Sequence, residues 1–206
     1  MNKKCLKIKY EINDNEFIVY SDEELKKDFT EFYDSDSRLA YSNISIKLVK
    51  TDFDDSFESE ILRIDGILFD VEFMVNNGFN QFMVYDSIDG DTLELYETFY
   101  EDDMLKDEYY SMLSPNIFYL DRLYVNQEYR NKGYATIMLN KLADILKHVL
   151  KLNIGLICIY SQPFEIKGKM INNVYDKELA IKLHTLYEKC GYIPVNNTNY
   201  LYMKIE

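Results

Sequence analysis

Residues 116–150, NIFYLDRLYVNQEYRNKGYATIMLNKLADILKHVL, decide how the chain is read. Residues 117–125 are apolar and aromatic, with the branched and ring side chains that fit a pleated surface. Residues 126–132 are polar and break that run. Ala135, Met138, Leu139, Leu142, Ile145, Leu146 and Val149 then recur at helical spacing, the core-facing stripe of an amphipathic helix. The stretch predicts a strand, a tight turn and a long helix. Its turn runs from Arg130 through Gly133 to Ala135 with the pattern R-x-x-G-x-A. A turn feeding a helix presents unpaired N–H groups at the positive end of the helix dipole, which suits a phosphate. Gly133 lets backbone approach such a ligand and permits a dihedral that other residues resist. Arg130 and Lys132 add positive charge. An ordinary strand–turn–helix joint explains the same residues equally well on spacing alone.

Downstream, residues 153–160 form a nearly continuous apolar run, as a strand buried on both faces does. With the helix before it, this predicts a right-handed crossover between parallel strands. Residues 161–175 read as a long loop containing Gly168. Residues 176–190 read as a helix with Leu179, Leu183 and Leu186 inward, stopped by Gly191. Residues 192–195 and 200–205 then form a last hairpin.

Upstream, residues 4–12 alternate as a strand, a turn follows at residues 13–15, and residues 16–20 return. Ser21 and Glu24 fit a capping box that opens a helix to about Tyr33. Residues 41–50 alternate as another strand, and residues 51–59 form an acidic loop. Asp65-Gly66 is a two-residue turn signal, so residues 60–74 read as a hairpin with Phe69, Val71, Phe73 and Val75 on one face. Asp91 or Ser87 caps a helix carrying Leu93, Tyr96, Phe99 and Tyr100, and residues 101–115 form an acidic loop.

The chain has 206 residues, a net charge of −13 and a hydrophobic fraction of 47%, as one globular domain does. Residues 51–110 hold 18 acidic and 2 basic side chains, whereas residues 111–206 hold 8 and 12. That surface argues against nucleic acid as a partner and favours a cationic one, although a solvated acidic face has the same composition. No apolar run approaches the length of a membrane span, and the N-terminus alternates instead of forming a signal core, so a cytoplasmic protein is expected. Cys5, Cys158 and Cys190 have no metal-ligand spacing and read as reduced thiols.

R-x-x-G-x-A after a strand ending L-Y-V resembles the acetyl-CoA-binding motif of the GNAT superfamily of N-acetyltransferases. Leu186 to Tyr192, LYEKCGY, is similar to the superfamily's later L-Y-x-x-x-G-F/Y element. The two pieces stand in the expected order and cover residues 116–205. The resemblance implies an α+β fold with a central mixed sheet flanked by helices, whose splayed parallel strand pair holds the cofactor. One domain of residues 1–206 follows, its N-terminal half (1–115) divergent and its acetyl-CoA-binding core at 116–206. The implied reaction moves acetyl from acetyl-CoA to a primary amine by direct attack, with no metal. Backbone at Leu123, Tyr124 and Val125 then bonds the pantetheine arm. N–H groups of Arg130, Asn131, Lys132, Gly133, Tyr134 and Ala135 hold the pyrophosphate. Tyr187 protonates the departing thiolate, where a packing role is the plain alternative. Asp121 is the preferred general base, with Tyr119 on the same face and Glu165 and His184 weaker; His148 reads as a surface residue.

The sequence departs from the family at Ala180, where many members carry an Asn that contacts the cofactor, and in the length of the 161–175 loop. The acceptor is left open as a small-molecule or peptide amine. Family members often form dimers. A non-catalytic acyl-CoA-binding or protein-interaction module and a transferase of longer acyl groups are the rival readings.

Overall fold

Strands β1 (Cys5–Ile12), β2 (Asn15–Val19), β3 (Tyr41–Thr51) and β4 (Glu58–Phe69) open the chain. Three short helices follow: α1 (Val71–Asn76), α2 (Gln81–Asp86) and α3 (Gly90–Phe99). A small hairpin of β5 (Tyr100–Glu101) and β6 (Met104–Leu105) precedes β7 (Ile117–Val125) and α4 (Tyr134–Leu150). Then come β8 (Leu156–Tyr160), a hairpin of β9 (Phe164–Lys167) and β10 (Met170–Asn173), α5 (Lys177–Lys189), β11 (Ile193–Pro194) and β12 (Tyr200–Lys204). This computed structural model describes residues 5–13, 15–19, 39–52, 58–167, 170–174 and 176–206. The capping-box helix expected from Ser21 to Tyr33, Asp14 of the first turn and Gly168 lie outside the described residues.

The main sheet has eight strands in the order β11-β12-β8-β7-β4-β3-β1-β2. Its described pairs are antiparallel except β7 with β8, which run parallel on either side of α4. It is a mixed sheet in an α+β fold, as expected. Each face is covered. On one, Met138, Leu139, Leu142, Ile145, Leu146 and Leu150 of α4 are buried against Phe118, Leu120, Ile157 and Ile159. Burial of each such side chain contributes roughly 1.5–3 kcal/mol. On the other, Met74, Tyr85, Leu95 and Phe99 of α1–α3 pack on Ile117, Tyr119, Leu156 and Cys158. Alternate residues of β7 and β8 thus feed two cores, which is why both strands read as continuous apolar runs. No helix among the described residues is long and apolar enough to cross a membrane.

Four expectations are corrected. Asp65-Gly66 is not a turn: β4 runs straight through it, pairing Asp65 with Ser45 and Gly66 with Ile44. Glycine is needed there because a Cβ would meet the Phe118 ring and the Tyr119 carbonyl at 2.5 Å. The segment after Phe69 is helix α1, started by the Asp70 side chain accepting from the Phe73 N–H at 3.0 Å, so Val71, Phe73 and Val75 do not share a strand face. Helix α3 is capped by Asp89, which forms a capping box with Thr92, not by Asp91 or Ser87. The expected loops at 101–115 and 161–175 contain the hairpins β5–β6 and β9–β10.

The C-terminal elements fall where expected. Asp176 caps α5, and Gly191 ends it at φ +90°, with the Tyr192 N–H donating to the Tyr187 carbonyl at 3.1 Å. Leu183 and Leu186 pack inward, but Leu179 is exposed. Cys158 and Cys190 are free and buried.

Gly66→Ala is expected to lower stability by about 1–3 kcal/mol, the usual penalty of forcing a methyl into filled space. The check is the midpoint of urea unfolding, which falls if the contact is as tight as described.

Candidate functional site

β7 is the longer partner of the parallel pair. Its register with β8 runs from Ile117 opposite Leu156 to Leu120 opposite Ile159 and stops there. Residues 122–125 continue to pair with β4 but have no strand partner on the β8 side among the described residues. Leu120 pairs with Gly66 and Arg122 with Asp65, so Asp121 is an extra residue, a bulge. The bulge re-phases the strand. Phe118 and Leu120 face α4 before it, and Leu123 and Val125 face the same core after it. The β7–β8 pairing ends where the bulge lies.

On the α4 face, the turn after β7 is shaped for an anion. Gly133 is the N-cap of α4 at φ +82°, with open space where a Cβ would stand. No side chain caps α4, whereas Asp70, Asn80, Asp89 and Asp176 cap α1, α2, α3 and α5. The free N–H groups at the start of α4 therefore face outward with the positive end of the helix dipole. Asn131 holds a left-handed φ of 59°, which asparagine tolerates. The Arg130 Nε donates to the Val125 carbonyl at 3.0 Å, tying the turn to the strand end. Lys132 and Lys50 lie over the Tyr129 ring at 5.3 and 5.8 Å. Lys50, at the end of β3, adds a cation that the motif does not contain. These groups fit a pyrophosphate and an extended amide-bearing arm: free helix N–H groups, a glycine cradle, clustered cations and an unpaired strand edge.

Tyr187 lies on the same face, 4% exposed, its ring 6.1 Å from that of Tyr192. Burial raises its phenol well above the usual range, so it stays protonated. Asp121 and Tyr119 lie on the opposite face, in a cavity of about 270 Å³ shared with Asp91, Arg122 and Tyr160. The Asp121 carboxylate pairs with the Arg122 Nε at 3.2 Å. Burial raises its pKa, Arg122 opposes that rise, and Asp89, Asp91 and Asp65 add to it. Tyr119, at 2% exposure, is raised much further by burial and stays neutral. Glu165 lies on β9, and its side chain is outside the description. His184 is on α5, and His148 is exposed, its ring nitrogen 2.9 Å from the Asp144 carbonyl. Asp89 and Asp91 beside this cavity were not picked out for chemistry; an aspartate pair opening a predicted helix in the acidic segment was the available signal.

Residues 76–163 match the family model described as Acetyltransferase (GNAT) family. The match spans somewhat under half of the chain and supports a GNAT-type domain there. The matched stretch takes in α3, β7, the glycine turn, α4 and β8; Tyr187 lies beyond it. The crystal structure of a KacT point mutant is similar at 11% identity and a TM-score of 0.41, over 96% of this chain and 95% of that one. No curated protein is similar enough to this chain to count as a match.

Gly133→Val places a branched side chain in the left-handed region and is expected to lower stability by about 1–2 kcal/mol. Denaturant unfolding checks this, with Gly133→Asn as the variant that restores most of the loss.

Proposed function

We propose that this protein is an N-acetyltransferase that moves the acetyl group of acetyl-CoA to a primary amine by direct attack. The carrying observation is the parting of β7 from β8 at the Asp121 bulge, between an uncapped glycine turn on one face and an acidic cavity on the other. Acetyl-CoA would enter from the α4 face, its pyrophosphate on the N–H groups of 130–135 and its pantetheine along the free edge at 123–125. Free N–H groups of that edge would stabilise the negative charge that grows on the thioester oxygen. The amine would approach from the other face.

Asp121 removes the proton of the incoming ammonium, leaving a lone pair on nitrogen. That nitrogen bonds to the acetyl carbon and the C–S bond breaks, its electron pair leaving on sulfur. Tyr187 then donates to the departing thiolate, the acylated nitrogen sheds its second proton to solvent to leave the neutral amide, and solvent returns a proton to the Tyr187 phenolate. The phenol still carries its proton when the thiolate forms, and a carboxyl raised above its ordinary range is a stronger base than an ordinary carboxylate.

Calorimetric titration of acetyl-CoA is expected to show saturable binding to the parent chain and none to Gly133→Trp. Absence of binding to the folded parent would overturn the reading. Tyr187→Phe is expected to keep that affinity while kcat falls by roughly 10²–10⁴-fold, the usual range for one proton-transfer group. Binding with no turnover toward any amine would leave a non-catalytic acyl-CoA-binding module.

The acid limb of the kcat/KM profile reports Asp121, with Asp65, Asp89, Asp91 and Arg122 around it. It is expected above the ordinary carboxylate range and absent in Asp121→Asn. A carboxyl whose folded pKa is raised favours the fold at low pH and loses that contribution as pH rises through the folded value. Asp121→Asn is therefore expected to unfold no earlier than the parent at neutral pH, so its lost turnover cannot be ascribed to misfolding.

A further inference from the structure

A second cavity, of about 290 Å³, adjoins the one already described. The two share Asp121 and Arg122. The second is lined by Glu11, Asp65 and Asp89, among others, and the first by Asp91, Tyr119 and Tyr160. Carboxylates therefore continue from one cavity into the other along the α1–α3 face. Glu11 is ion-paired with Lys47, and Asp65 lies 3.2 Å from the Arg63 Nε and accepts from the Ser45 hydroxyl at 2.7 Å. Asp89 and Asp91 have no cationic partner among the described residues.

The Asp89 carboxylate and the Asp91 backbone are held in place. Asp89 accepts from the Thr92 N–H at 2.8 Å, and the Thr92 hydroxyl donates to the Tyr85 carbonyl at 2.8 Å. The Tyr200 hydroxyl donates to the Asp91 carbonyl at 3.1 Å, fixing the start of α3 over the sheet. The ligand-facing signal is independent of the acidic groups. Tyr119 is 2% exposed and lines the first cavity, yet its hydroxyl makes no hydrogen bond among the described residues. The hydroxyl oxygen is open to the cavity and available to a group that enters it. A primary ammonium carries three donors, and Asp91, Asp121 and the Tyr119 oxygen supply three acceptors around one cavity. Arg122 is a donor in the same place, but its Nε is held by Asp121.

We propose that the acceptor is a short diamine or polyamine, its reacting ammonium held by Asp91, Tyr119 and Asp121 and its second ammonium in the adjoining cavity beside Asp89. The inference rests on the acetyltransferase reading and adds the acceptor's charge pattern to it. A second positive charge relieves the repulsion among carboxylates that Glu11 and Asp65 escape through their own partners.

The test uses three acceptors of one length, 1,4-diaminobutane, n-butylamine and 4-aminobutanoate, with the full chain and saturating acetyl-CoA. They differ only in the far group, which is positive, neutral or negative. The expected kcat/KM for the diamine exceeds that for butylamine about tenfold, the effect of one partly desolvated ion pair. The aminobutanoate is expected to be the poorest. Asp89→Asn keeps an effective helix cap while removing the charge. It is expected to lower kcat/KM for the diamine about fivefold more than for butylamine, with an unchanged unfolding midpoint as the folding control.

Equal rates with the diamine and butylamine overturn the proposal. So does an equal loss for both in Asp89→Asn. Preference for 4-aminobutanoate would assign the cavity to a carboxylate on Arg122 and also overturn it. Failure of all three acceptors, with acetyl-CoA binding intact, rejects the diamine alone. Failure of acetyl-CoA to bind rejects the acetyltransferase reading beneath it.

Discussion

One residue too many in β7 governs this molecule. β4 offers two consecutive positions, Asp65 against Arg122 and Gly66 against Leu120, and Asp121 is left over between them. The excess is tolerated because Gly66 has no side chain: the Phe118 ring and Tyr119 carbonyl occupy the space a methyl would need. The strand twists more strongly at such a point. Beyond it β7 stays with β4 and no longer pairs with β8. The free strand edge, the Asp121 carboxylate in a cavity and the return of Leu123 and Val125 to the α4 core follow from the same extra residue.

The sheet divides the chemistry between its faces. Glycine turn, clustered cations and buried phenol belong with α4 and α5, and the carboxylates belong with α3. The charge distribution of the chain follows that division. The acidic residues 51–110 supply β4 and α1–α3, and the more basic residues 111–206 supply the turn and α4. Such a division favours anions on one side of the sheet and cations on the other.

What could be read from the sequence was what local chemistry decides. β7, α4, β8 and α5 were legible because their apolar patterns are long and their ends are marked by Gly133, Asp176 and Gly191. Asp65-Gly66 misled because a turn and a close strand crossing make the same demand for a residue without Cβ; only the Phe118 ring, more than fifty positions away, distinguishes them. Residues 71–75 alternate like a strand, yet one hydrogen bond from Asp70 starts a helix there. The glycine turn was legible as the entry to α4 because its parts are contiguous. The acidic cavity was not, because it draws Asp91 from α3, Tyr119 from β7 and Tyr160 from β8, and no spacing in the chain foretells that meeting. Lys50 beside the turn was missed for the same reason.

The uncapped start of α4 has a consequence for the folded chain as a whole. A helix whose first N–H groups lack a side-chain acceptor is less complete than its neighbours, and α4 supplies much of one core. An anion that fills this end contributes what Asp70 or Asp176 contributes elsewhere, but from outside the chain. By mass action, a ligand at about a hundred times its dissociation constant adds roughly 2.7 kcal/mol to the stability of the state that binds it. With acetyl-CoA in that place, as proposed, the persistence of the fold would follow the supply of the coenzyme, and its depletion would be felt first as fraying at Gly133.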